Sequence, residues 1–165
     1  MFDPRKIDTK LLIEAVPYLS MIEMQDYDWD DLGKLLNLHV QGAGPRAALN
    51  IPPDQWNYSS PLLRPTDYWS SVKAEVFTLL CTDDEKYSDL RDRLSKHSDT
   101  ATLYILSTIS VWLSSHLTAS LAVITPLVGT VLYAVSKLGI AGWCRHERRQ
   151  MRVRNEDSAP VGIHA

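Results

Sequence analysis

Residues 100–136 read TATLYILSTISVWLSSHLTASLAVITPLVGTVLYAVS, 37 consecutive positions without Asp, Glu, Lys or Arg. Charged residues make up 22% of the chain, so random scattering would leave a given stretch of this length bare about once in ten thousand. Something keeps charge out. The stretch predicts two helices, Thr102 to Leu117 and Ala119 to Ile140, joined near Ser114 to Ser120. Two environments exclude charge in this way: a bilayer and a protein core.

Length favours the bilayer. A hydrocarbon core takes about 20 apolar residues per helix, and residues 100–144 hold two such passes. Arg91, Arg93 and Lys96 precede the pair and Arg145, Arg148, Arg149, Arg152 and Arg154 follow it, which places both termini in the cytoplasm. Trp143 and Tyr133 suit the interface and Lys137 can snorkel to it. Ser107, Ser110, Ser114 and Thr118 share a face of the first helix, and Gly129 and Gly139 lie on the second. Small residues of this kind let helix backbones approach closely.

Serine content favours a core. Twelve of the 37 residues are Ser or Thr, so the run is uncharged more than it is greasy. His116 falls on the apolar face of the first helix, an expensive position in lipid and the expected place of a hydrogen-bonded core histidine. Amphipathic helices elsewhere also need something to cover. A hairpin stored in a soluble form and inserted on triggering would join the two cases.

Outward from the hairpin, residues 1–40 predict two amphipathic helices. Asp8 caps the first, Pro17 splits it, and the second opens in Asp28-Trp29-Asp30-Asp31. Residues 41–65 carry five prolines and two glycines, the composition of an extended, packed loop. Residues 66–99 predict a helix pair: Asp67 to Leu80, with Trp69, Val72, Val76, Leu79 and Leu80 as a core stripe, and a helix to Lys96 opened by a capping box at Thr82-Asp83-Asp84-Glu85. Residues 145–165 read as a basic segment that passes into a disordered tail after Asn155. The expected fold is all-α: about four amphipathic helices plus a C-terminal hydrophobic hairpin.

Composition narrows function by exclusion. The 165 residues, 45% hydrophobic with a net charge of −3, suit one domain and lack the global basicity of a nucleic-acid binder. The start, Met1-Phe2-Asp3-Pro4-Arg5-Lys6, has no apolar signal-peptide core. Cys81 and Cys144 are expected to be free, with a reducing compartment as the default. Asp26 to Asp31 lacks the glycine and glutamate of a calcium loop, and Gly42-Ala43-Gly44 lacks the lysine of a phosphate loop. Cys81, Cys144, His97 and His146 lack zinc spacing, and no serine stands in a nucleophile elbow. No metal, cofactor or catalytic residue is expected.

In arrangement, Thr100 to Cys144 with its basic end resembles the small two-transmembrane effector modules of bacterial conflict and defence systems. The likeness is architectural and carries no functional residue with it. The leading expectation is a non-enzymatic, membrane-associated two-pass element that perturbs or senses a bilayer. In that reading Arg145, Arg148, Arg149 and Arg152 contact headgroups or phosphate. The alternative is a soluble cytoplasmic accessory subunit, its hairpin buried in the core or against a protein partner, with Trp56 and Trp69 at the interface. Oligomerisation through the hairpin fits both, and nucleic acid is not an expected partner.

Overall fold

The computed structural model describes residues 6–41, 66–96 and 102–158. The predicted loop at 41–65, Trp56 within it, and the last seven residues of the tail lie outside the described residues apart from Gln41. All regular structure among the described residues is helical: α1 (Thr9–Ala15), α2 (Ser20–Met24), α3 (Trp29–His39), α4 (Tyr68–Cys81), α5 (Ser88–Lys96), α6 (Thr102–Leu117) and α7 (Leu121–Ser158). The all-helical class follows. Its finer arrangement differs from the expected one, because helix, interrupted at Gly139, resumes past Ile140 and continues through Asn155.

Local chemistry explains the starts and stops. Asp8 accepts from the amides of Lys10 and Leu11 and caps α1, satisfying donors that an α-helix leaves bare at its N-terminus. Pro17 then forces a short 3-10 turn, Pro17–Leu19, before α2. Asp28 caps α3 through the amides of Asp30 and Asp31. The cap of the helix to Lys96 is a correction: Asp84, not Thr82, accepts from the Lys86 amide, and a 3-10 turn, Glu85–Tyr87, intervenes before α5. Thr82 ends α4 instead, its hydroxyl donating to the Thr78 carbonyl.

α7 is the axle of the molecule. Nine consecutive residues, Leu127 to Val135, are buried, and α1, α3, α4 and α6 all pack against the helix. Periodicity disappears here because there is no solvent side, the pattern of a helix at the centre of a core. Each fully buried aliphatic side chain contributes roughly 1.5–3 kcal/mol. Gly129 lets α1 in: a Cβ there would sit 2.8 Å from Val16 Cγ2 and 3.8 Å from Leu106 Cδ1. Pro126 lies within the first two turns, and Thr130 donates to the Pro126 carbonyl at 2.8 Å.

α7 is long and apolar enough to cross a membrane, yet more than half of its most apolar 18-residue stretch is buried inside the protein. The same composition therefore serves a core helix. At Gly139 the backbone leaves helical geometry (φ 74°, ψ 163°), a left-handed conformation that glycine adopts without steric cost. The bend divides α7 into the axle and an arm, residues 140–158.

The cysteines are a correction too. Cys81, the last residue of α4, and Cys144, on the arm, form a disulfide with Cα atoms 5.8 Å apart. They are 63 positions apart in sequence, and only the docking of the arm on α4 brings them together. The reducing-compartment default rested on free thiols and loses that basis.

Candidate functional site

The charge-free pair is asymmetric. The inward face of α6 (Thr102, Ile105, Leu106, Ile109, Ser110, Leu113) is buried, and burial accounts for its lack of charge. Nine positions from Leu103 to Ala122 are exposed (Leu103, Ser107, Val111, Ser115, His116, Thr118, Ser120, Leu121 and Ala122), and none is Asp, Glu, Lys or Arg. α5 offers an internal comparison: of its six exposed residues, Asp89, Asp92, Arg93 and Lys96 are charged. Burial does not act on an exposed face. Its neutrality calls for another cause.

The small residues of the hairpin go separate ways. Ser110 turns inward, 1% exposed, its hydroxyl without a hydrogen-bond partner. Ser107 and Thr118 face solvent. Ser114 is half-buried and its hydroxyl donates to the Ala119 carbonyl, closing the turn where Thr118 takes a φ of 54°. Gly129 serves packing, whereas Gly139 serves conformation, because a Cβ there would meet nothing within 4 Å. Arg145, Arg148, Arg149 and Arg152 are all exposed on the arm. Trp69, 2% exposed, takes its place in the core stripe of α4 and is closed to any partner, which corrects the interface reading.

Arg91 has left the basic flank as well. Its guanidinium donates to the carbonyls of Leu79, Thr78 and Asp84 at 2.9, 2.9 and 2.7 Å, so it satisfies orphan acceptors at the end of α4. The positive-inside pattern thereby loses one of the charges that precede the pair.

Three polar nodes escaped sequence reasoning. At the first, Asp30 accepts from Trp69 Nε1 at 2.9 Å and pairs with Lys73 at 2.7 Å. Burial raises its pKa, but the hydrogen bonds and charges of Lys73, Trp69 and Lys34 outweigh it and hold the carboxyl below its ordinary value of 3.8. Beside it, buried Asn37 accepts from the amides of Tyr68 and Trp69 at 3.1 and 3.2 Å, which fastens α3 to the start of α4.

At the second node Glu75 accepts from the buried Tyr87 hydroxyl and pairs with Lys86 at 2.9 Å, while His116 Nε2 lies 3.6 Å away. His116 is thus an exposed residue stacked on Trp112, not a core histidine. Burial raises the Glu75 pKa, and the bonds from Tyr87 and Lys86 with the Lys86 and His116 charges bring it below its ordinary 4.5. Burial and then the bond to Glu75 push Tyr87 well above the phenol range.

Depressed carboxyl pKa values at both nodes fix the sign of an acid response. The folded state binds fewer protons than the unfolded state, so the stabilisation is complete above the ordinary values of 4.5 and 3.8 and is lost as pH falls through the lower folded values. Denaturant midpoints are expected to hold between pH 7 and pH 5 and to drop below about pH 4. Glu75→Gln combined with Asp30→Asn should flatten that drop; an unchanged acid limb in the double variant would refute the assignment.

The third node is the corner where the arm meets α3 and α4. Trp143 and Glu147 are fully buried, and neither Trp143 Nε1 nor the Glu147 carboxylate has a hydrogen-bond partner. His146 Nδ1 is 3.6 Å from Glu147, and its ring meets Trp29 edge-on at 5.5 Å. On the other side of the bend, a cleft of about 350 Å³ opens between the start of α3 and α7, walled by Tyr27, Trp29 and Tyr133. Lys137 already lies over the Tyr133 ring at 5.4 Å. Burial and the bond to Glu23 push the Tyr133 hydroxyl up to about 12.

Among the described residues no three His, Cys, Asp or Glu side chains are grouped to hold a metal ion. Comparison with protein families, with curated proteins and with solved structures finds no match.

Proposed function

We propose that this protein is a non-enzymatic helical assembly module that self-associates through the uncharged outer face of α6. The observation that carries the reading is the row Leu103, Ser107, Val111, Ser115: exposed, spaced four residues apart, and free of charge where α5 is heavily charged. Four-residue rows are the ridges by which helices pack. The row is also self-complementary. In an antiparallel pair about a two-fold axis, Leu103 faces Ser115 of the second copy and Ser107 faces Val111, large against small at every step. A two-fold arrangement uses the same patch on both chains and is the commonest form of assembly.

Val111 is 56% exposed, so Val111→Lys should leave the monomer's helicity and denaturation midpoint unchanged. It places two ammonium groups in the proposed interface, and the association should weaken by about two orders of magnitude. Sedimentation velocity over a concentration series reads this directly. A wild-type chain that stays monomeric into the high micromolar range sinks the reading, as does a Val111→Lys variant that dimerises like wild type.

A second reading, the two-pass membrane element, has the length and composition of α7 in its favour. Against it stands the burial of Leu127 to Val135 on all sides, since insertion would strip α1, α3 and α4 from the axle. Carbonate extraction of membranes separates the readings: retention in the pellet supports insertion, release supports the soluble assembly.

A further inference from the structure

The arm of α7 carries a second surface, independent of the α6 face. At 3.6 residues per turn, Arg145, Arg148, Arg149 and Arg152 fall within an arc of about 100°, and all four are exposed. Glu147 is the one carboxylate between Arg145 and Asn155, and it falls on the opposite side of the helix, 0% exposed. Its burial leaves no exposed carboxylate between Arg145 and Asn155. Glu156 closes the face one turn beyond Arg152. The disulfide at Cys144 anchors the arm to α4, so the arginines stand on a fixed helix. A chain of net charge −3 thus presents a compact cationic face about 10 Å long.

We infer that this arginine face docks on an anionic bilayer surface. Clusters of four or more basic residues on a helix are drawn to anionic lipid, each contributing about fivefold to partitioning. Exposed Val153 flanks the row, giving the face an apolar edge suited to the headgroup boundary. Base recognition would call for stacking side chains, and residues 145–158 contain no Phe, Tyr or Trp. Adsorption leaves the core closed, because the arginines lie outside it.

The test uses the full chain with its disulfide intact and co-sedimentation with vesicles. Phosphatidylcholine vesicles are compared with vesicles containing about one-third phosphatidylglycerol. Wild type should bind only the anionic vesicles and be released at about 1 M salt, where the Debye length is about 3 Å. Arg149→Gln with Arg152→Gln should fold as wild type and partition about 30-fold less. Equal binding to both vesicle types, no binding, wild-type partitioning by the double variant, or retention at high salt would each overturn the inference. So would release by inorganic phosphate in the millimolar range, which would mark a single phosphate site. Preferential capture by duplex DNA of equal charge would assign the face to nucleic acid instead.

Discussion

Loss of the Cys81–Cys144 bond is expected to lower stability by about 4 kcal/mol. The bond closes a loop of 63 residues, and the chain-entropy relation gives that magnitude for the freedom returned to the unfolded chain. For a chain of this size the loss corresponds to a fall in Tm of roughly 8–16 °C. The consequence should be largest at the arm. Its buried corner carries the unpartnered Glu147 carboxylate and Trp143 Nε1, and unpaired buried polar groups weaken the packing that covers them. Beyond Cys144 the arm is otherwise held by His146, edge-on to Trp29 at 5.5 Å, and by Arg148, over Phe77 at 5.8 Å.

The measurement is denaturation of wild type with and without a dithiol reductant, beside the Cys81→Ser, Cys144→Ser double variant. Reduced wild type and double variant should unfold together, well before oxidised wild type. Hydrogen exchange should show the arm, pivoting at Gly139, losing protection first. Superposable curves in all three samples would mean that the bond contributes nothing.

Gly33→Ala is expected to destabilise the fold by about 3 kcal/mol, against the usual sign for such a change. Inside an exposed helix, alanine in place of glycine gains about 1 kcal/mol. Here a Cβ would fall within the Trp69 indole. The indole has nowhere to go: Trp69 is 2% exposed, Trp29 meets it edge-on at 6.0 Å, Lys73 lies over it at 5.2 Å, and its Nε1 is bonded to Asp30. Displacing the ring also breaks the Asp30 bond and perturbs the Lys73 pair. A Gly33→Ala variant as stable as wild type, or more so, would show that α3 and α4 can separate without loss.

Both effects arise where α3, α4 and the arm meet, a region that reads in the sequence as three unrelated features. Trp69 reads in the sequence both as part of a core stripe and as an aromatic available to a partner, because nothing near it in the chain reveals that Gly33 leaves a slot for its ring. Asp30 looks like one more acid at a helix start. Its partner Lys73 is 43 residues away, and local patterns do not report pairings at that distance.

Local chemistry was legible directly from the residues. Asp8 and Asp28 cap their helices and Pro17 breaks the first one, since these outcomes depend on atoms within a turn or two of one another; the 37-residue run without charge marks a segment kept from water only along the inward face of α6 and the axle of α7, because nine of its positions are exposed. What excludes the water was decided by tertiary packing alone. Four helices close around Leu127 to Val135, Gly139 bends the arm back, and two distant cysteines meet. Apolar side chains respond to the loss of water and not to its cause, so lipid and a protein core leave the same record in a sequence; only the positions of the neighbouring helices distinguish them.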